Sequence, residues 1–400
     1  MGLSGPRTDG QKTRARSPMK KSLLLLLGAT LVSCNTLSIS PAETQTTPES
    51  TEVGQQLTFV HPGLLLNAAR LERLKTQVNS TTSNITQQGW TKVTSDSRAS
   101  SGYTPHPYST VHVLDSGSTD EERDFKDDPQ AAYLNALQWV VTGKSAHKDA
   151  SIRIMRAWAQ KFQSIVNVNT DKPKQVDLEA AWVLPMWVNA AEIIRYHNNG
   201  AAGWSSTDIQ QFDAFVNKLY NYAWKATIDT STKNNWTVSG AYAMMSAGVY
   251  LNDTTKYQEG MRIIKETMPK VVYASGEIYE LKSRDCYHPQ YSLTGLVQAA
   301  NVAWVQNDNS IYNLTFDGQT TPRLVLGMEY IAKSILSGSG VRNCSPSGAD
   351  DYIREGYGDI ALNRYGTTVL PNFYKAVLKA RPEDGSDQFL GWTTATFGKY

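Results

Sequence analysis

From Phe59 onward, apolar residues recur at the spacing of an α-helix in one segment after another. Apolar positions that repeat every three to four residues mark one face of a helix, whereas a half-buried strand alternates every two. Short connections join the segments, and strand-like alternation is scarce outside residues 276–281. The pattern predicts a single all-α domain at 58–400. Its helical segments are 62–78, 128–143, 150–166, 178–197, 207–226, 240–253, 258–272, 291–308 and 322–336.

The segment 178–197 constrains the architecture further, because apolar residues cover two faces of its predicted helix. A helix that is apolar all round has to be buried on every side. No repeat of about 34 or 40 residues is visible, which argues against a helical solenoid. The inner layer of a two-layer helical barrel satisfies both observations. We therefore predict an (α/α) toroid, either complete or an incomplete helical barrel.

The beginning of the chain differs from the rest in composition. Basic residues precede a short apolar run that is too short to span a membrane, which is typical of a secretory signal. Residues 1–33 are therefore predicted to be a signal peptide, with Met19 as a second possible start. Cys34 ends a lipobox-like "LVSC", and the Ser/Thr/Pro-rich residues 34–57 are predicted to be a flexible tether. We expect an exported protein: periplasmic, an outer-membrane lipoprotein or secreted.

The charge of the chain excludes a broad basic surface. The formal net charge is +2, but residues 1–33 hold six of the 39 Lys and Arg and only one of the 37 Asp and Glu. The remaining residues therefore carry a net charge of −3, which leaves no general field for nucleic acid. We expect a monomer that binds any polyanion through a local cluster of side chains.

Two cysteines follow Cys34, at positions 286 and 344. In an exported protein Cys286 and Cys344 can form a disulfide, and two buried free thiols are the alternative. Neither a CxxC nor an HExxH motif occurs. The sequence therefore predicts no metal site and no cofactor.

The densest group of chemically versatile side chains lies at 276–296. Arg284, Tyr287, His288 and Tyr291 fall within eight residues, and Pro289 stands among them. Because proline favours the first turn of a helix, we expect Arg284 to lie on a loop and Tyr291 in the first turn of the next helix. A phenol near a helix N-terminus and a guanidinium is more readily ionised, as a tyrosine base requires. The alternative is that Arg284 pairs with Asp285 and Tyr291 only packs.

A second such group is the asparagine pair that precedes an apolar helical segment. Asn235 is predicted to be the N-cap of that helix, since asparagine is a favoured cap. The N-terminal end of a helix also favours anions, so a ligand carboxylate could share it with the amide. Asn234 is expected to play the lesser part.

Other residues admit different chemistry. Glu179 and Glu192 could be the carboxylate pair of a glycoside hydrolase, or they could be ordinary buried groups. Glu121, Arg123 and the aspartates 127 and 128 are expected in a solvated loop that caps a helix. The excess of Tyr and Trp over Phe suits either sugar stacking or helix packing. The tryptophans considered as stacking platforms are Trp139, Trp182, Trp187 and Trp204.

Four stretches occur in the order found in one known superfamily. "HPGLLLNAARLERLK", "DPQAAYLNALQWVVTGK", the "NNW" helix start and "RDCYHPQY" resemble the alginate-lyase-like superfamily, which includes polysaccharide lyase families 5 and 38. The likeness covers roughly residues 59–400. Its most specific part is the pairing of the "NN" start with an arginine, six intervening residues and a tyrosine.

The resemblance implies roles for individual residues. The alginate-lyase branch has an Asn-Asn-His motif and, later in the chain, Arg-(x)6-Tyr. There the asparagine and the arginine hold the uronate carboxylate, and the tyrosine moves the protons. The resemblance assigns these roles to Asn235, Arg284 and Tyr291. Trp236 stands where those enzymes have histidine. The assisting role of that family histidine would then fall to His288, or to His106 or His112. The residues expected to contact substrate are Asn234, Trp236, His106, His112 and Tyr287.

The chemistry of these residue types narrows the expected substrate. β-Elimination from a 4-linked uronate requires a neutralised carboxylate, a base for the C5 proton and an acid for the O4 leaving group. In mannuronate and glucuronate both groups lie on one face of the sugar, so one tyrosine can serve both steps. We therefore expect a lyase for polymannuronate or glucuronan that needs no metal. The alternatives are a non-catalytic glycan-binding lipoprotein and an (α/α)-barrel glycoside hydrolase.

Overall fold

The computed structural model describes residues 57–115, 117–169, 174–228, 234–337, 344, 352–354 and 356–400. They belong to one compact unit, Gln55–Tyr400. The predicted signal peptide, Cys34 and all but the last residue of the predicted tether lie outside the described residues. In the part of the chain that is described, no helix is both long and apolar enough to cross a membrane.

Helices dominate the described residues, which confirms the all-α prediction. The only named strands in those residues are β1 (Thr110–Val113) and β2 (Ser164–Asn167), which pair in parallel with Thr110 opposite Ser164. Strand-like residues 276–281 make one isolated bridge and then enter a short helix. The helices are α1 (Ala68–Val78), α2 (Ile85–Ser95), α3 (Asp120–Thr142), α4 (Ser145–Lys161), α5 (Gln175–Tyr196), α6 (Ser206–Ala223), α7 (Asn235–Leu251), α8 (Thr254–Val271), α9 (Tyr279–Ser283), α10 (His288–Val305), α11 (Arg323–Ser337), α12 (Gly358–Tyr365), α13 (Pro371–Leu378) and α14 (Thr393–Phe397).

The helices form two layers. In the inner layer α3 packs on α5, α5 on α7 and α7 on α10, and each contacts the helix that follows it in the outer layer: α4, α6, α8 and α11. The inner helices α5, α7 and α10 are buried on nearly every side, whereas α6, α8 and α11 bury one face. The two-faced segment 178–197 lies in the inner layer as predicted. The fold is an (α/α) toroid.

The start of α7 corrects one prediction. Asn234, not Asn235, is the N-cap: it has an extended backbone, and its side-chain oxygen accepts a hydrogen bond from the Trp236 amide at 3.1 Å. Asn235 is the first residue of the helix, and its side chain is buried. The cap and the buried amide are therefore separate residues, because the helix begins one position earlier than the sequence pattern indicated.

A second correction concerns the start of α3. Glu121, Arg123, Asp127 and Asp128 were expected in a solvated loop, yet all four lie within the helix. Asp128 is fully buried and accepts hydrogen bonds from the Tyr103 hydroxyl and the Trp158 indole N–H. Burial raises the pKa of Asp128 to about 6. Its carboxyl is a structural link between α3, α4 and the preceding loop.

The alternatives for the two cysteines are resolved. Cys286 and Cys344 form a disulfide, with their Cα atoms 5.1 Å apart. Cys286 lies between α9 and α10, in the loop that also carries Arg284 and Tyr287. The bridge therefore attaches that loop to a residue 58 positions further along the chain.

Candidate active site

A cavity of about 330 Å³ opens where the inner helices begin. Lys126 of α3, Glu179 and Trp182 of α5, and His288 and Tyr291 of α10 line it, together with the loop residues Leu114, Asp115, Gly117, Ser118, Asp387 and Gln388. Each of these helices contributes residues from its first turns, so several helix N-termini are directed toward one end of the toroid. Such ends carry partial positive charge and favour bound anions.

Tyr291 lies in the first turn of α10, as the position of Pro289 predicted. Its ring centroid is 5.4 Å from that of His288, 6.1 Å from that of Trp182 and 6.4 Å from that of Phe389. These neighbours hold the phenol at the wall of the cavity. The aromatic contact with Trp182 also connects α10 to α5.

Asp285 orients His288. Its carboxylate lies 2.6 Å from Nδ1 of His288 and accepts the backbone N–H groups of Tyr287 and His288, each at 2.8 Å. Burial acts to raise the pKa of Asp285, but the hydrogen bonds from His288 outweigh it and lower the pKa to about 2. An ionised carboxylate therefore fixes both the start of α10 and the orientation of the imidazole.

Glu280 of α9 connects the remaining site residues. Its carboxylate accepts the backbone N–H and the side-chain amide of Asn235, at 3.1 and 2.6 Å, and the Ser292 hydroxyl at 2.8 Å. Nη1 of Arg284 lies 3.7 Å from Glu280 Oε1. Burial raises the pKa of Glu280, and the bonds from Ser292 and Asn235 oppose that rise. One buried carboxylate thus joins α7, α10 and the arginine loop.

An ion cluster forms another part of the cavity wall. Nζ of Lys126 lies 2.8 Å from Glu122 and 3.0 Å from Glu179, and it also lies over the Trp182 ring at 5.5 Å. Burial disfavours the charged lysine, but Glu179 and Glu122 hold the pKa of Lys126 above its ordinary value. Burial raises the pKa of Glu179, whereas Lys126 lowers it. The cluster fixes Trp182 between Lys126 and Tyr291.

The structure separates the predicted site residues into two groups. His288 and Tyr291 line the cavity, whereas Asn235 and Arg284 lie outside its lining and are linked through Glu280 to Ser292, the residue after Tyr291. The other predicted contacts lie outside the cavity lining. His106 and His112 are exposed beside Asp124 and Glu121, Trp236 packs against the core, Asn234 caps α7, and the Tyr287 ring lies 4.1 Å below Arg354.

The hydrolase alternative fails on distance. Glu179 and Glu192 lie near opposite ends of α5, and 13 residues of α-helix span about 20 Å. Paired carboxylates of glycoside hydrolases are at most about 9.5 Å apart. Glu192 instead accepts a hydrogen bond from Gly63 and lies within 3.0 Å of His61. The two glutamates are separate buried groups.

Sequence reasoning missed Glu280, Glu122 and Lys126. Glu280 precedes Arg284 by four residues, and Glu122 precedes Lys126 by four, which is the spacing of side chains that meet on a helix. That spacing was the available signal, but such pairs also occur on any solvated helix. Among the described residues, no group of three or more His, Cys, Asp or Glu is arranged to hold a metal ion.

Comparisons with known proteins agree with this fold. The family model for alginate lyase matches residues 78–336. The alginate lyase A1-III of Sphingomonas species A1 aligns with a TM-score of 0.60 and 14% identity over 84% of this chain and 95% of that one. An alginate lyase of Bacteroides ovatus aligns with a TM-score of 0.59 and 10% identity over 85% and 100%. No curated protein matches the chain.

The helical toroid and the matched family model define the protein as a polysaccharide lyase. The match covers well over half of the sequence. The chain belongs to the alginate lyase family.

Proposed function

We propose that the protein cleaves a 4-linked polyuronate, polymannuronate or glucuronan, by syn β-elimination. The single observation that supports this most is that Glu280 links Asn235 and Arg284 to the start of α10, where His288 and Tyr291 line the cavity. The similar structures are alginate lyases, alginate is a uronate polymer, and an alginate lyase A1-III variant has been solved with a bound tetrasaccharide. At that level of identity they support the fold, and the residues of this chain support the chemistry.

The first requirement is neutralisation of the uronate carboxylate. Removing the C5 proton leaves an enolate-like intermediate, in which negative charge moves onto the carboxylate oxygens. In the proposal Asn235 donates an amide N–H to that carboxylate and Arg284 supplies a guanidinium. The partial positive charge at the start of α7 adds to both. These groups need no metal to perform the step.

The second requirement is proton transfer on one face of the sugar. The Tyr291 phenolate takes the C5 proton, the C4–O4 bond breaks, and a C4–C5 double bond forms. The resulting phenol then donates its proton to O4 of the leaving chain, which returns Tyr291 to the phenolate. One group can do both because C5–H and O4 lie on the same face in mannuronate and glucuronate. In guluronate they lie on opposite faces, which would require two groups.

In this proposal His288 takes over the assisting role of the histidine that the alginate branch has in its Asn-Asn-His motif. Trp236 occupies the position where the alginate branch has histidine, and its half-buried ring packs against the core. His288 lines the cavity beside Tyr291, and Asp285 engages its Nδ1. The imidazole therefore meets the substrate through Nε2. This change of helper is the reason to include glucuronan beside polymannuronate.

The test measures two signals on three polymers. The mature protein is incubated with polymannuronate, glucuronan and polyguluronate while ultraviolet absorbance of the unsaturated ends and total reducing ends are followed. We expect both signals to rise together on polymannuronate or glucuronan and not on polyguluronate. New reducing ends without absorbance would mean hydrolysis. If neither signal rises on any polymer, the result favours a glycan-binding protein without catalytic activity. Each of these two results contradicts the proposal.

We also propose that the protein is exported and carries lipid on Cys34. The support is the lipobox-like "LVSC" that follows the basic and apolar residues 1–33. In a bacterial host, wild-type protein should incorporate labelled palmitate, and Cys34→Ala should not. Equal labelling of both proteins would contradict lipidation at this residue.

A further inference from the structure

Glu280 is a buried carboxylate to which neither the motif nor the proposed chemistry assigns a role. It is 1% exposed and has three hydrogen-bond donors: the Asn235 backbone N–H, the Asn235 side-chain amide and the Ser292 hydroxyl. Arg284 lies 3.7 Å away. Resting on the proposed function, we propose that Glu280 is a positioning residue that sets Asn235 and Arg284 for the uronate carboxylate.

The first step of the argument concerns the amide of Asn235. The Asn235 backbone N–H and the Ser292 hydroxyl donate to Oε2 of Glu280, and the group of Asn235 that faces Oε1 is its NH₂. One of the two amide hydrogens is used at 2.6 Å from Glu280, and in the proposed reaction the other donates to the uronate carboxylate. Glu280 thereby selects the amide orientation in which Asn235 is a donor. A reversed amide would present its oxygen to Glu280 and repel it.

The second step concerns the helix terminus. The first backbone N–H groups of an α-helix have no partner within the helix. Glu280 accepts the one at Asn235, while the Asn234 side chain accepts the one at Trp236. Because the same carboxylate also accepts the amide of Asn235, that side chain and the start of its helix are held as one unit. Free rotation of the amide would slow the reaction, because misplacement of a group by about 1 Å can reduce the rate a hundredfold.

The third step concerns the links to the other reacting groups. Ser292 follows Tyr291 in α10 and donates to Glu280, so the carboxylate ties the asparagine to the helix that carries the tyrosine. Arg284 is four residues after Glu280, with its side chain 46% exposed toward solvent. A carboxylate at its side restrains the guanidinium while leaving part of it accessible. Glu280 therefore helps to position all three proposed reacting groups: Asn235, Arg284 and, through Ser292, Tyr291.

The chain contains a matched control. Glu329 of α11 accepts the backbone N–H of Asn372 at 3.0 Å and its side-chain amide at 2.6 Å, at the start of α13. This repeats the Glu280–Asn235 arrangement at a helix that lines no part of the cavity. Glu329→Gln therefore reproduces the structural loss without any effect on the site.

The experiment compares kcat and KM for wild type, Glu280→Gln, Glu280→Asp and Glu329→Gln on the cleaved polymer. We expect Glu280→Gln to lower kcat/KM by about tenfold to a hundredfold, mostly in kcat, because neutralisation matters more in the transition state than in the bound substrate. Glu280→Asp should recover part of the loss, and Glu329→Gln should keep wild-type kcat and KM. Equal kcat/KM in wild type and in folded Glu280→Gln and Glu280→Asp overturns the inference.

A double-mutant cycle separates positioning from a general structural role. In the background of Asn235→Ala, Glu280→Gln should reduce kcat/KM by a smaller factor than it does in wild type, because one of the two groups that Glu280 orients is already absent. Fully additive losses overturn the inference even if Glu280→Gln is impaired. The outcomes also distinguish the two proposals. A wild-type protein that forms no unsaturated ends overturns the proposed function and this inference with it, whereas an active wild type with an unaffected Glu280→Gln overturns only the inference.

Discussion

At the scale of single residues, the proposed site depends on one tyrosine, and charged side chains hold the two aromatic residues beside it in place. Tyr291 lies between His288 and Trp182, and each of those residues is held in turn by a carboxylate or an ion cluster. A group held in this way loses little freedom when substrate binds, so its effect on rate reflects chemistry more than ordering.

Tyr291→Phe removes the proposed proton carrier and leaves the ring in place. We expect kcat to fall by at least about a hundredfold, since general acid–base groups contribute roughly that much or more, with little change in KM. Absorbance of unsaturated ends measures kcat. Tyr330→Phe on the outer helix α11 is the matched control and should retain full activity. Undiminished activity in Tyr291→Phe would show that another group moves the proton.

Asp285→Asn tests the carboxylate that orients His288. A carboxyl whose folded pKa is depressed adds stability above its unfolded pKa, and that stability is lost as the pH falls through the folded value. The pKa of Asp285 falls from 3.8 to about 2, so its contribution is present above about pH 4 and disappears toward pH 2. Wild type should therefore unfold at a higher temperature than Asp285→Asn at pH 6, and the gap should narrow below pH 4.

The control for this prediction is Asp149→Asn, at an exposed aspartate that pairs with the neighbouring Lys148. Its melting temperature should follow that of wild type at every pH. A gap for Asp285→Asn that stays constant from pH 6 to pH 3 would mean that the carboxylate is not ionised by its contacts with His288.

At the scale of elements, the site is built from helix beginnings. Inner helices α3, α5 and α10 direct their first turns at the cavity, and Glu280 links the start of α7 to the start of α10. The caps of these helices therefore serve the site as well as the fold. Thr119 caps α3 and Asn234 caps α7 through side-chain oxygens.

Asn234→Ala removes the cap of α7. We expect the free energy of unfolding to fall by about 1 kcal/mol, which is the usual cost of losing an asparagine cap. Urea unfolding measures this change. Asn234→Asp retains a side-chain acceptor and should stay within a few tenths of a kcal/mol of wild type. Equal losses in both variants would indicate that the amide NH₂ of Asn234, and not its oxygen, is the group that matters.

At the scale of the whole molecule, the disulfide joins the site loop to a distant part of the sequence. Gln290 strengthens the same connection, because its amide donates to the Tyr352 carbonyl and accepts the Arg354 backbone N–H. The start of α10 is thus attached to α9 through Glu280 and to residues 352–354 through Gln290.

Replacing both Cys286 and Cys344 with serine should destabilise the protein. Closing a loop of 58 residues stabilises a fold by up to about 4 kcal/mol through the entropy of the unfolded chain. Chemical unfolding of wild type and of the double variant measures this difference. Adding reductant should bring wild type to the stability of the variant and leave the variant unchanged. Equal stability of the two oxidised proteins would contradict the prediction.

Much of the fold followed from the sequence, because helical periodicity and proline are local signals. The spacing of apolar residues predicted the helices, the two-faced segment 178–197 predicted an inner layer, and Pro289 predicted the position of Tyr291 in its first helical turn. The exact start of α7 did not follow, since two adjacent asparagines are equally good caps and only the backbone geometry distinguishes them.

Tertiary structure alone decided which buried charges meet. Glu280 lies 45 residues from Asn235, and Lys126 lies 53 residues from Glu179, so their contacts depend on how the inner helices pack side by side. The same packing buried Asp128 and brought Cys286 to Cys344. The sequence by itself determined the helices and the reactive residue types, because those depend on neighbours along the chain. The partners of those residues depend on neighbours in space, and only the packed toroid specifies them.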